Sequence, residues 1–296
     1  MNEITKFNLS SINLDDVKKL FSTLDISETT KQDYQNRIKL FIEFIGNTGF
    51  NFNSYMEFKN YLRNKNNWSV STKNKYLITA KVLLNVLQQR GIIPDITKNV
   101  KVFSQVKKHK KQGITESEIK TISLNLKNTD TRTQAIITLL TYQGLRQIEL
   151  TRLDIEDIDL KSGFAFIQGK GQDDKTKIYL HTDTIKALRN YINDYNVKSG
   201  ALFFSVSNRG KNKRLSTRTI RGIVKTLLNE IGVEKTTHGF RHYFTTRLIK
   251  HYNGNIIQVS KYTRHKSLEM LQVYNDDINL EKDIPNFQEC FSGILN

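Results

Sequence analysis

At 296 residues the chain is too long for one ordinary hydrophobic core, and 46 Lys and Arg against 29 Asp and Glu give a net charge of +17, the balance of a protein with a polyanionic partner. The lone cysteine, Cys290, excludes a disulfide framework and a cysteine-based zinc site, and the six histidines show no HExxH spacing, so neither a metal nor any other cofactor is expected. No apolar run has membrane-spanning length and the N-terminus lacks a signal-peptide core, which predicts a cytoplasmic, nucleoid-associated protein with no membrane partner.

Residues 12 to 103 read as helical. Ile12, Val17, Leu20, Phe21 and Leu24 form a first apolar stripe. Ser27-Glu28-Thr29-Thr30 opens a second helix, with Tyr34, Ile38, Phe41, Ile42 and Ile45 on one face and Gly46 as its stop. A third helix is predicted from Phe52 to Leu62. A fourth runs from Asn67 to Gln89, burying Tyr76, Ala80, Leu83, Leu84 and Leu87. These make a helical bundle over 1–103. Pro94 and the lysines Lys107, Lys108, Lys110 and Lys111 read as a linker, basic over 104–113, because nothing there offers a core-facing pattern.

From Ile114 the pattern changes. Thr115-Glu116-Ser117-Glu118 caps a helix through Leu126, and Thr131 to Tyr142 makes another that ends at Gly144. Leu153 to Ile158, Phe164 to Gln168 and Thr176 to His181 alternate like strands, joined by Lys161-Ser162-Gly163 and by a polar loop from Gly169 to Lys175. Helical patterns fill the rest, so a small three-stranded sheet inside a helical domain is predicted over 114–274. Seven basic residues and no acid lie between Arg209 and Lys225. Of these, Arg209, Lys211, Lys213, Arg214, Arg218 and Arg221 join the linker lysines as candidates for following a phosphate backbone. After Tyr274 the sign reverses: the tail 275–296 holds five acids and one lysine, yet Phe287, Phe291 and Ile294 share one helical face that has to be buried somewhere.

Five residues stand out by chemistry. Arg146 follows Gly144-Leu145 at a predicted helix start, and His238 and Arg241 share a helix face at i, i+3. His265 precedes Tyr274 by nine residues. Paired guanidiniums hold phosphate oxygens in forks, imidazoles exchange protons near neutral pH, and a phenol supplies an oxygen nucleophile. The set suits a phosphodiester held while tyrosine attacks it. Plainer roles compete at each position. Arg146 and Glu149, one turn apart, form a structural ion pair, or Glu149 orients Arg146 from behind. His238 caps a helix. Lys170, between two glycines, is an ordinary exposed turn, and Lys175 or Lys177 reaches the site in its place. Tyr274 is one of twelve tyrosines.

Taken in order, Gly144-Leu145-Arg146 with Glu149, Gly169-Lys170-Gly171, His238-Gly239-Phe240-Arg241-His242, His265 and Tyr274 make the chain resemble the tyrosine recombinase family, phage integrase-like and Xer-like. The resemblance implies a fold mainly α with a small antiparallel sheet: a core-binding domain that clamps DNA over 1–103, and an α+β catalytic domain. It implies a site-specific recombinase that cleaves and rejoins DNA through a 3′-phosphotyrosyl bond and a Holliday junction, with Lys170 as acid toward the 5′ oxygen. The implied partners are a double-stranded recombination site, three further copies in a tetramer on DNA, and accessory directionality proteins. The tail would dock on a neighbouring protomer. Thr263-Arg264 departs from the leucine-glycine pair common before the second histidine. Two other readings stay open: DNA relaxation of type IB topoisomerase kind, and a non-catalytic sequence-specific DNA-binding protein on the same fold.

Overall fold

The computed structural model describes residues 14–105, 113–169, 171–207, 210, 212–265 and 267–292. Lys107, Lys108, Lys110, Lys111, Lys170, Arg209 and Lys211 lie outside them, as do Ile12 and Ile294. The chain divides into two compact units, Met1–Val106 and Lys107–Asn296.

Four helices build the first unit: α1 (Leu14–Ser22), α2 (Glu28–Thr48), α3 (Ser54–Arg63) and α4 (Val70–Gln89). The starts of α2 and α4 follow from serine chemistry, since Ser27 accepts from the Thr30 N–H and Ser69 from the Thr72 N–H, each satisfying a donor the helix cannot. Gly46, expected to end α2, lies inside it; the break comes at Gly49, whose φ of 78° leaves the helix while its N–H closes on the Ile45 carbonyl. One helical glycine costs only about 1 kcal/mol, less than the burial of Ile45 returns. Phe41, Tyr55, Phe58, Leu62, Leu77, Leu83 and Leu84 fill the core, with the Phe41 and Phe58 rings 4.9 Å apart edge to face.

Pro94, read with the linker lysines, lies instead in a stretch after α4 that packs on the bundle. Ile93 and Ile96 are buried in the bundle core, and Val100 and Phe103 pack against it. Asp95 accepts from the N–H groups of Thr97 and Lys98, and Asn74 exchanges two hydrogen bonds with the Phe103 backbone. A short apolar wrap without helical period carries no pattern to read, so its packing is invisible to spacing.

The second unit comprises α5 (Glu116–Leu126), α6 (Thr131–Tyr142), α7 (Gln147–Arg152), a 3-10 turn (Ile155–Asp157), β1 (Ile158–Asp159), β2 (Phe164–Gln168) and β3 (Lys175–Tyr179). There follow α8 (Thr182–Asp194), α9 (Thr217–Glu230), α10 (Thr237–His251), α11 (Ile256–Thr263) and α12 (Leu268–Cys290). Thr115 and Glu118 form the predicted capping box at α5. The sheet is antiparallel in the order β1-β2-β3, with Ala165 opposite both Ile158 and Ile178. Its first strand is shorter than expected: the Asp157 carboxylate accepts from the Asp154 N–H and winds the segment into a 3-10 turn. Helix α6 is buried nearly all round through Ala135, Ile136, Ile137, Leu139 and Leu140, the apolar axis on which α8, α9 and α10 pack. A smaller cluster of Ile249, Val259, Leu271, Tyr274 and Ile278 joins α10, α11 and α12. Tyr274 and the acidic segment after it therefore share one helix.

Candidate active site

Arg146 reaches its place through Gly144. That glycine has φ +57°, and a Cβ there would stand 2.3 Å from the Phe244 ring, so only glycine allows the turn that buries Leu145 and starts α7 at Arg146. Glu149 then grips Arg146 twice: one carboxylate oxygen accepts from the Arg146 backbone N–H at 2.8 Å, the other from Nη1 at 2.7 Å. Glu149 is 1% exposed while the Arg146 side chain is 32% exposed. The carboxylate thus anchors one edge of the guanidinium and leaves the other toward solvent, so the ion pair and the orienting role weighed for Glu149 are one arrangement.

Arg241, on α10, is buried and spans two turns. Its Nη1 donates to the Gly144 carbonyl at 2.7 Å and its Nη2 to the Thr263 carbonyl at 2.6 Å. Burial, with Arg146 and Arg264 alongside, brings this guanidinium down to about 9, and it stays cationic at neutral pH.

Arg264 is a member of the site that motif spacing does not mark. It sits at the C-terminal end of α11 with φ 55°, a left-handed conformation that costs a side-chain-bearing residue of order 1–3 kcal/mol. Its Nη1 donates to the Tyr262 carbonyl at 2.8 Å, its Nη2 donates to the Gln143 carbonyl at 3.0 Å, and Nη2 lies 3.5 Å from Glu149. Burial lowers its pKa while Glu149 opposes the fall. Arg146 and Arg264 thus share one carboxylate in whose field Arg241 also lies, and the excess positive charge asks for an anion.

Tyr274 is 4% exposed. Burial pushes its phenol up and Arg241 draws it back. The His242 ring stands 4.7 Å from the Tyr274 ring at 62°, and the His265 ring 6.3 Å away at 55°. In the sequence His242 is only the last residue of the His238 to His242 motif; its i, i+4 spacing from His238 is the signal that marks its face. Gly113 makes room for it, since a Cβ there would lie 2.3 Å from Nδ1. His238 is exposed on the first turn of α10, whose start is tied to α7 by a hydrogen bond from the Gln147 amide to Thr237 Oγ1.

A cleft of about 160 Å³ is lined by Arg146, Glu149, Ile167, Gly169, Gln172, Thr176 and Arg264. It brings Gly169, the neighbour of Lys170, beside Arg146, and Arg152 fixes that end of the hairpin by donating to the Gly169 carbonyl at 2.9 Å. The two alternative lysines are engaged elsewhere: Lys175 pairs with Asp157, and the Lys177 ammonium lies 3.9 Å over the Phe164 ring. Among the basic residues expected on DNA, Lys213, Arg214, Arg218 and Arg221 are exposed. Arg214 is also engaged with the protein frame. Its guanidinium donates to the carbonyls of Thr151 and Leu153 and pairs with Asp154, so it braces the frame behind α7. Among the described residues no three His, Cys, Asp or Glu side chains converge as metal ligands would, and no helix is long and apolar enough to cross a membrane.

Comparison with known proteins adds an independent line. The model of the phage integrase family matches residues 112–280. Tyrosine recombinase XerA of Pyrococcus furiosus is 33% identical over 165 residues, 55% of this chain and 56% of that protein. Tyrosine recombinase XerC of Leptospira interrogans is 25% identical over 292 residues, 92% of this chain and 91% of that protein. The chain spans about half the length of the first curated relatives it matches, between 50% and 57%. Among solved structures, the XerH site-specific recombinase in a post-cleavage complex with its palindromic difH substrate superposes with a TM-score of 0.74 at 20% identity, covering 92% of this chain and 83% of that one. The two share a fold.

Proposed function

The chain belongs to the phage integrase family, and from that premise we propose that it is a site-specific DNA recombinase working through a covalent tyrosine intermediate. Arg146 and Arg241 hold the non-bridging oxygens of the scissile phosphate and stabilise the charge that builds there in the transition state. The Tyr274 oxygen attacks phosphorus, a phosphotyrosyl bond forms at the 3′ side, and the bond to the 5′ oxygen breaks. Lys170 gives that oxygen its proton; His238 and His265 position the phosphate and exchange protons, taking up the one that the phenol releases. The 5′ hydroxyl of another strand reverses the step, so the energy of the phosphodiester is conserved throughout.

One observation supports this above all: a buried phenol lies beside two imidazoles and within the field of a buried arginine that is itself tied to the turn carrying Arg146. Burial of so much polar chemistry serves a purpose other than packing. The finer part of the proposal is assembly. Four protomers hold two DNA sites and exchange strands in pairs through a Holliday junction at the nucleoid, with accessory proteins setting direction. The far end of α12 favours self-association, because Ile284, Phe287 and Phe291 on its exposed length are apolar.

DNA recovered with a catalytically dead variant, placed twice on one supercoiled plasmid, separates the readings. A recombinase inverts or deletes the segment between the copies. Relaxation with no rearranged product would instead assign a topoisomerase, and tight binding with no strand broken would assign a DNA-binding protein.

The hairpin acid has its own test. Lys170→Ala is expected to slow cleavage of an ordinary phosphodiester at least about a hundredfold, and a substrate with a 5′-bridging sulfur, whose leaving group needs no proton, is expected to restore most of the rate. Lys175→Ala and Lys177→Ala, whose ammoniums are engaged elsewhere, are expected to cleave within about threefold of the parent chain. Sulfur rescue of either of those in place of Lys170→Ala would move the acid.

A further inference from the structure

A left-handed backbone at the end of a helix is the place of glycine or asparagine, and glycine adopts it without cost. Here it is occupied by Arg264. The surrounding contacts show what its side chain does there. Its Nη1 stays local, on the Tyr262 carbonyl at 2.8 Å. Its Nη2 crosses to the turn between α6 and α7, donating to the Gln143 carbonyl at 3.0 Å, with the Gly144 carbonyl at 3.5 Å.

Two acceptors are shared across the site. The Gly144 carbonyl takes Arg241 Nη1 at 2.7 Å as well as facing Arg264. Glu149 takes Arg146 Nη1 at 2.7 Å and lies 3.5 Å from Arg264 Nη2. Arg241 closes the circuit, since its Nη2 donates to the carbonyl of Thr263, the residue before Arg264. The turn that presents Arg146 and the turn that presents His265 are therefore joined by two buried guanidiniums. With only the Arg241 tie, the Thr263 to His265 turn would hang on a single hydrogen bond from that side chain. Both terminal nitrogens of Arg264 donate to carbonyls of the two turns, which makes it a brace between them.

We propose that Arg264 is a positioning residue that locks the Arg146 turn to the His265 turn, so that both sides of the phosphate cradle are set before DNA arrives. The idea rests on the recombinase reading and deepens it. A fork is required, because one end must reach the carbonyl of Tyr262 while the other reaches the carbonyls of Gln143 and Gly144 beside Glu149; an ammonium supplies the charge but cannot span them. Misplacing one side of a cradle by a fraction of an ångström affects the reacting geometry far more than the affinity for a long duplex.

The test uses the full chain and a nicked suicide substrate carrying the selected site, with single-turnover adduct formation and DNA affinity measured side by side. Arg264→Gly keeps the backbone conformation without cost and is expected to bind DNA within about threefold of the parent chain while forming the covalent adduct on the order of 10- to 100-fold more slowly. Arg264→Lys is expected to remain slow. Adduct formation at the parent rate in Arg264→Gly would overturn the proposal, and so would full rescue by Arg264→Lys, which would reduce the role to charge. Loss of affinity in step with the rate would also overturn it, by making Arg264 a general structural part. Failure of the parent chain itself to form an adduct would count against the recombinase reading instead.

Discussion

Tyr274→Phe is expected to bind its DNA site within about twofold of the parent chain and to form no covalent complex with a nicked suicide substrate on a denaturing gel. The substitution keeps the ring, which packs in the cluster joining α10, α11 and α12. Phenylalanine keeps the contacts with Ile249, Val259, Leu271 and Ile278 and the edge-to-face approach to His242. It also keeps the clamp intact, since Arg241 is held by the carbonyls of Gly144 and Thr263 and Arg146 by Glu149. Binding and chemistry should therefore separate completely. An adduct surviving in this variant would mean that a different residue attacks, with Tyr252 and Tyr262, stacked 5.9 Å apart, the nearest alternatives in sequence.

The second large effect belongs to Arg241→Lys, which preserves the charge and removes the fork. Lysine cannot donate to the Gly144 and Thr263 carbonyls together, so at least one buried acceptor loses its partner, and the ammonium is desolvated without the compensation the guanidinium enjoys. Stability should fall by roughly 3 kcal/mol, a drop of several degrees in Tm. Cleavage should fall about a thousandfold or more, because the group that meets the developing charge on phosphate is displaced as well. Adduct formation within tenfold of the parent chain would show that charge alone is what this position supplies.

Much of this arrangement is legible in the sequence because it is local. Ser27 and Thr115 announce helix starts through hydrogen bonds three residues long, the i, i+3 spacing of His238 and Arg241 fixes a shared face, and Arg146 with Glu149 spans one turn. What escapes is nonlocal or aperiodic. Ile93 and Ile96 pack in an irregular wrap, and the Asp154 to Asp157 turn replaces a strand by one side-chain hydrogen bond. The role of Arg264 depends on carbonyls some 120 residues away. The sequence offered only a departure there, Thr263-Arg264 where the resembled family commonly has a leucine-glycine pair. Its explanation lies in which turns meet, and no local pattern records that. His242 shows the same limit: its helix face can be read, but the approach of Tyr274 from α12 cannot.

The most direct measurement of the central claim is identification of the covalent link itself. The parent chain is trapped on a suicide substrate, digested with protease, and the DNA-bound peptide is sequenced by mass spectrometry together with the end of the strand it carries. The account predicts a single linkage, between the Tyr274 phenolic oxygen and a 3′ phosphate, with a free 5′ hydroxyl on the other fragment. A linkage at any other residue, or attachment through a 5′ phosphate, would contradict it.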